Sequence, residues 1–280
     1  MSARVGELMV SALLDRLRHE PTEKRIRATV GTEEVVDSTR ALLVWEPRRV
    51  VPQYAVPVED VTAELRPAAD ECEGSDAPVL HPGIPFSAHS TDGEPLDIHA
   101  AGEARGHAAF RPADEDLDGY VVLDFDGLDA WYEEDEKVFS HPRDPFHRVD
   151  TRRSSRSLRI EVDGTLVAET TRPTLVFETN LPTRFYFPRE DVKVDLERSP
   201  HRTYCPYKGE ASYWSFEAGG RTIDNLLWTY EDPLEDVAAL RGLLALFDEV
   251  VDVTLDGEER PRPDTDFARA MKNEFGLTDG

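Results

Sequence analysis

The sequence predicts a mainly β protein built from two similar domains, and three observations carry that prediction. Residues 30–61 and 162–192 read nearly alike: Arg40 matches Arg172 and Glu46 matches Glu178 at one offset. Past a one-residue gap, Pro57 meets Pro188 and Val61 meets Val192. A pattern stated twice is the signature of a duplicated folding unit. Short alternating stretches such as Ile26-Arg-Ala-Thr-Val30 and Ala41-Leu-Leu-Val-Trp45 read as strands, and Gly31-Thr32 and the Pro47 region read as turns between them. Hydrophobic content of 39%, with twelve Phe, eight Tyr and four Trp, supplies enough apolar surface for a core in each half.

Taken in order, residues 1–23 are expected to form an amphipathic helix. Val5, Leu8, Met9, Leu13, Leu14 and Leu17 fall at helical spacing, and Pro21 stops it. The first repeat domain is assigned to 24–139. Within it, 67–88 (PAADECEGSDAPVLHPGIPFSA) has no counterpart in the second copy and reads as a long loop. Gly119–Asp126 closes this domain and aligns with Gly242–Glu249. The connector, 140–157, is too rich in aromatic and charged residues for a plain flexible linker. The second repeat domain spans 158–257, and 258–280 reads as an extended tail with a helical turn around Asp266–Lys272.

Charge narrows the function classes. There are 57 acidic residues against 32 basic ones, a formal net charge of −25, and only five of the basic residues are Lys. Such a surface repels phosphate backbones and anionic lipid, which excludes nucleic acid and membrane as expected partners. No apolar run approaches the roughly 20 residues of a membrane span. Glu7 and Asp15 interrupt the N-terminal apolar residues, unlike a secretory leader, so the expected location is cytoplasmic. Two cysteines, Cys72 and Cys205, make no disulfide framework.

The two copies part at His201-Arg-Thr-Tyr-Cys-Pro-Tyr-Lys-Gly209, where the first reads His89-Ser-Thr-Asp-Gly-Glu-Pro-Leu-Asp97. With Pro188-Arg-Glu-Asp-Val192 before it and Tyr213-Trp-Ser215, Leu227-Trp-Thr-Tyr230 and Asp248-Glu-Val-Val-Asp252 after it, this stretch resembles the domain of unknown function 427 family. The match covers 158–257, and the first repeat looks like a diverged second copy. The resemblance implies two tandem antiparallel sheet domains similar to the β-tent, or Mss4-like, fold group. Many members of that group hold zinc through paired cysteines. This chain lacks such pairs, so no metal is expected, and no cofactor motif is read.

The candidate chemistry centres on that divergent loop. Cys205 lies near Lys208, which would favour the thiolate, and four residues from His201. The catalytic reading makes Cys205 the nucleophile, His201 its base and Lys208 their electrostatic support. The ordinary reading makes Cys205 a small buried residue. Tyr207, Tyr213, Trp214, Trp228 and Tyr230 offer aromatic surface for a flat or cationic ligand, or simply the core of a small sheet. Arg172, Arg111, Arg143 and Arg148 would make an anion site if they converge, and ordinary surface ion pairs if they do not. His141, Asp144 and His147 could offer three metal ligands, but Pro142 and Pro145 exclude the helix that would align them. Two functions stay open: a small-molecule pocket, catalytic or not, for an anionic or aromatic ligand around the Cys-Pro-Tyr-Lys-Gly loop, and a protein-interaction module using the connector and the 67–88 loop.

Overall fold

Alternating burial sets the strands. Ile26–Val30 and Leu158–Val162 both place every second residue in the interior, the period of a strand with one face on a core. The computed structural model describes residues 15–70 and 76–274, and the chain divides into two units, Met1–Pro145 and Phe146–Gly280.

In the first unit a seven-stranded sheet runs, in spatial order, Arg18–Pro21, Leu42–Trp45, Gln53–Pro57, Tyr120–Leu123, Glu103–Pro112, Gly93–Ala100 and Glu64–Pro67. A four-stranded sheet of Glu136–Val138, Ala130–Glu133, Ile26–Val30 and Glu33–Ser38 accompanies it, and all adjacent pairs are antiparallel. The core includes Ile26, Tyr54, Ile98, Leu123 and Trp131.

The expected N-terminal helix falls largely on residues 1–14, outside the described residues. At its end the structure differs: Arg18–Pro21 is a strand paired with Leu42–Trp45. The ladder supplies backbone partners to a segment whose Pro21, lacking an N–H, ends any helix there. The 67–88 segment is only partly described, since 71–75 lie outside. Of its described apolar residues, Val79, Leu80 and Phe86 are buried and Ile84 is half-buried, and Leu80 bridges Arg49.

In the second unit, Val149–Arg153, Thr174–Glu178 and Arg184–Tyr186 form one sheet. Glu197–Cys205, Gly209–Ala218, Arg221–Thr229 and Leu244–Leu246 form another. The third contains Thr165–Thr170, Leu158–Val162, Asp252–Leu255 and Glu258–Arg260. Val149–Arg153 therefore lies within the expected connector, which contributes a strand rather than a tether. The helix Asp266–Glu274 follows. Among the described residues no helix is long and apolar enough to cross a membrane.

The two units share their strand order. The hairpin Ile26–Val30/Glu33–Ser38 is irregular between Ala28 and Thr29, and Leu158–Val162/Thr165–Thr170 is irregular at the aligned Ile160 and Glu161. Where the first unit pairs Val56 with Val121 inside one continuous sheet, the second joins its two sheets by a bridge at the aligned Phe187 and Leu244. A clamp recurs as well. Ser38 and Arg40 both bond Asp60, and Thr170 and Arg172 both bond Asp191.

Candidate functional site

The Cys-Pro-Tyr-Lys-Gly segment is less of a loop than its sequence suggests. His201 and Cys205 belong to the strand Glu197–Cys205, and only Pro206–Lys208 make the turn into Gly209–Ala218. Cys205 pairs with Gly209, and the Lys208 amide donates to the Cys205 carbonyl at 3.2 Å, closing that turn. Gly209 has φ +98°, a conformation L side chains avoid, which is why glycine ends the motif.

This tight turn aims Lys208 inward. Its ammonium pairs with the Glu178 carboxylate, and the two side chains keep only 11% and 9% of their surface. Glu178 ends the strand Thr174–Glu178. Because Val149 lies opposite Glu178 in the ladder, His147 is carried to the same carboxylate, with Nε2 3.0 Å from Oε1. The His147 ring stacks on Tyr207, centroids 4.1 Å apart and planes 21° apart. One turn thus contributes a cation to Glu178 and an aromatic lid to its histidine.

Around this centre stand Tyr186, Trp228 and Tyr230, all buried. Tyr186 is placed by its register with Thr174, and its hydroxyl accepts from Trp228 Nε1 at 3.1 Å. Beneath Trp228, Arg184 holds Glu249 in a two-pronged pair (2.8 and 2.9 Å) and also bonds Asp248. Its guanidinium carbon lies 5.5 Å from the Trp228 centroid. A groove of the second unit lies against Pro182, Thr183, Asp248, Val251, Arg260 and Pro263, and its lining includes neither Cys205 nor Lys208.

Burial and neighbouring charges act in opposite directions on the groups of this centre. Burial pushes the Glu178 carboxyl up, but the Lys208 charge and the bonds from His147 and Lys208 outweigh it and hold the group down at about 2. Burial lowers Lys208, and its neighbours more than reverse this, so it stays a cation. For Cys205 the balance runs the other way. Desolvation raises the thiol above its ordinary value, and the opposing pull of Lys208 does not overcome it. Burial thus opposes the thiolate that proximity to Lys208 favours. Tyr186 is pushed up to about 12 by burial, and Tyr230 well above its usual value.

The other expected site residues separate. His201 is exposed, its ring 4.6 Å from the Tyr213 ring. Tyr213 is core, its hydroxyl 2.8 Å from that of Thr203. Trp214 points to the opposite face, with the guanidinium of Arg189 4.0 Å and that of Arg198 5.6 Å from its centroid. Arg111 pairs with Glu94, Arg148 with Asp150, and Arg172 with Glu190 and Asp191. Arg143 is half-buried in the first unit. Arg111, Arg148 and Arg172 are thus distributed among separate carboxylates. His141 Nδ1 lies 2.7 Å from the Pro142 carbonyl oxygen, and among the described residues no group of three or more His, Cys, Asp or Glu is arranged to hold a metal ion.

With this geometry in place, comparison with known proteins adds one finding. Residues 150–257 match the family described as a domain of unknown function, DUF427. The second unit belongs to that family. No curated protein matches the chain. Glu178, Tyr186 and His147 are the members of this centre that a sequence reading focused on the Cys-Pro-Tyr-Lys-Gly segment leaves out. Glu178 was visible as the partner of Glu46 in the repeat, and His147 as part of the spacing in the connector. Tyr186 carries no signal beyond its place just before Pro188-Arg-Glu-Asp-Val192.

The first unit has its own version of the centre. Glu46 accepts from Arg49 Nε at 3.2 Å and the Ser90 amide at 3.0 Å, and lies 3.1 Å from His89 Nδ1. The His89 ring stacks on Phe110 at 3.6 Å. Burial raises the Glu46 carboxyl, but the bond to His89 and the His89 and Arg49 charges leave it net lowered.

Proposed function

We propose that the second unit binds a small polar molecule at the Glu178–Lys208 centre, and that it does so without thiol chemistry. What carries the reading is the burial of a Lys–Glu–His cluster beside the hydroxyls of Tyr186 and Tyr230, where apolar residues would serve the core at least as well. Charged groups kept in such a place are candidate function. The raised Cys205 thiol and the exposed His201 weaken the catalytic alternative. The shared strand order supports a tandem arrangement of two β-tent-like units, the first serving as a partner scaffold.

A fragment library screened by ligand-observed NMR tests the proposal. The comparison protein is a Glu178→Gln/Lys208→Met variant that removes both charges together. Binders lost in that variant, with its melting temperature retained, support the reading. A library whose binders are all indifferent to the change sinks it.

A second reading, docking of a protein partner through the connector and the 67–88 segment, has the exposure of Phe139 (45%) and Phe146 (69%) in its favour. Against it, the segment turns Val79, Leu80 and Phe86 inward.

A further inference from the structure

One guanidinium beside the groove of the second unit serves two carboxylates. Arg184 pairs with both Asp248 and Glu249, and the three side chains keep 8%, 9% and 0% of their surface. This buried group therefore holds one acid more than it holds cations. Burial pushes the Asp248 carboxyl above its ordinary value and the Glu249 charge adds to that, against the opposing pull of Arg184. Of the three, Asp248 also lines the groove. Arg260 lines it too. Its guanidinium carbon lies 5.3 Å from the Phe185 ring centroid, and no carboxylate pairs with it among the described residues. Pro182, Pro261 and Val251 add apolar wall. The free space, mouth included, is about 270 Å³. That is just below the roughly 300–1,000 Å³ of pockets for drug-sized molecules, so a ligand here is small.

The first unit fills the same place. Phe125 aligns with Asp248 when Gly119–Asp126 is laid on Gly242–Glu249. Trp131 pairs with Ala28 as Val253 pairs with Ile160, and Val138 pairs with Trp131 as Arg260 pairs with Val253. The Phe125 and Trp131 rings stack, centroids 5.6 Å apart and planes 11° apart, and the Trp131 indole donates to the Phe125 carbonyl at 2.9 Å. Val138 packs against that core. The scaffold can therefore close this position with apolar side chains and no desolvated charge. The second unit has a carboxylate, a valine and a guanidinium there instead, and a groove that all three line.

We infer that this groove binds a small zwitterion, its ammonium on Asp248 and its carboxylate on Arg260, with an aliphatic body against the prolines. The ammonium supplies the cation that the Arg184 group lacks. The carboxylate meets a guanidinium already positioned on Phe185, whose planar fork suits two-pronged pairing. Neither charge alone suffices, because a lone cation is repelled by Arg260 and a lone anion by Asp248. The site is separate from the Glu178 centre and does not depend on the binding proposed there.

The test uses the full chain with two zwitterions of different charge spacing, L-valine and γ-aminobutyrate, and two single-charge probes, butylammonium and butanoate. Melting temperature and the amide NMR resonances of Thr183 and Arg260 are the readouts. At least one zwitterion should raise the melting temperature and shift both amides saturably, and each single-charge probe should bind about tenfold or more weakly, as loss of a bond to a charged group does. Arg260→Gln, on an exposed strand, should weaken zwitterion binding to the same extent. Asp248→Asn, which retains an oxygen for Arg184, should weaken it too and provides a second variant. Glu178→Gln/Lys208→Met should leave it unchanged, and loss of binding there would assign the ligand to that centre and overturn the inference. Butylammonium or butanoate binding as tightly as the zwitterions overturns it as well, by removing Arg260 or Asp248 from recognition. So does silence to all four probes, or zwitterion binding unchanged in Arg260→Gln.

Discussion

Glu46 and Glu178 stand at matching positions in their units, and each contacts a histidine ring nitrogen, at 3.1 Å to His89 and 3.0 Å to His147. The residues that complete each centre differ. Arg49, three positions along the chain, supports Glu46, whereas Lys208 reaches Glu178 from a turn thirty residues away. A carboxylate maintained with new partners marks a position the scaffold always buries, and the consequences are measurable.

The first concerns charge pairing. Glu178→Gln leaves the Lys208 ammonium buried without its counter-charge, which should cost on the order of 3–5 kcal/mol. The Glu178→Gln/Lys208→Met variant should recover most of that loss, because both charges leave together. Guanidinium unfolding curves check this. A single variant as stable as the double one would mean that Lys208 swings out to water at no cost.

The second concerns acid. The Glu178 carboxyl is held at about 2, below its ordinary 4.5. A lowered folded-state pKa contributes stability that is present above the unfolded value and is lost as pH falls through the folded one. The wild-type protein should therefore lose stability between about pH 4.5 and 2, and Glu178→Gln should show a shallower acid limb. Equal limbs would detach Glu178 from the acid transition.

How much of this was legible in the sequence turns on particular residues. The repeat placed the strands around Ile26 and Trp45 and matched Glu46 to Glu178, because alternation and turn residues are local signals. Arg172 reads either as an anion-site cation or as an ordinary ion-pair partner, and it bonds Asp191 as Arg40 bonds Asp60. A repeated residue more readily serves the shared scaffold than a unique site. The Lys208–Glu178 contact depends on how far a turn projects across a neighbouring sheet, and His147 reaches Glu178 through the register of Val149. Neither is encoded within a short window. At Cys205 two effects compete: proximity to Lys208, which is local, favours the thiolate, and burial, invisible in the local pattern, opposes it.

Asp124 yields a prediction in the opposite direction. Burial, with Asp126 close by, raises its carboxyl to about 6. A raised acid contributes stability below the unfolded value of 3.8, and this is lost as pH rises towards 6. Asp124→Asn should therefore stabilise the first unit at pH 7.5, on the order of 1 kcal/mol after discounting for its partial exposure, and should leave it unchanged at pH 3.5. Thermal melts at the two pH values decide, and a gain of equal size at both would rule out titration as the cause.

Thiol chemistry gives the last prediction. If desolvation governs Cys205, its alkylation by iodoacetamide at pH 7.5 should be slower than that of a free cysteine, because the thiolate is the reactive form. A Cys72→Ser background removes the other thiol. Lys208 opposes the upward shift, so Lys208→Met should move the alkylation profile to still higher pH, provided the variant is folded. Glu178→Gln should move it lower, since the Glu178 charge disfavours a thiolate beside it. Opposite displacements by the two variants would show that the ion pair sets the thiol through its field. Rapid alkylation of the folded protein at neutral pH would restore the nucleophile reading and remove the basis for a site that works by binding alone.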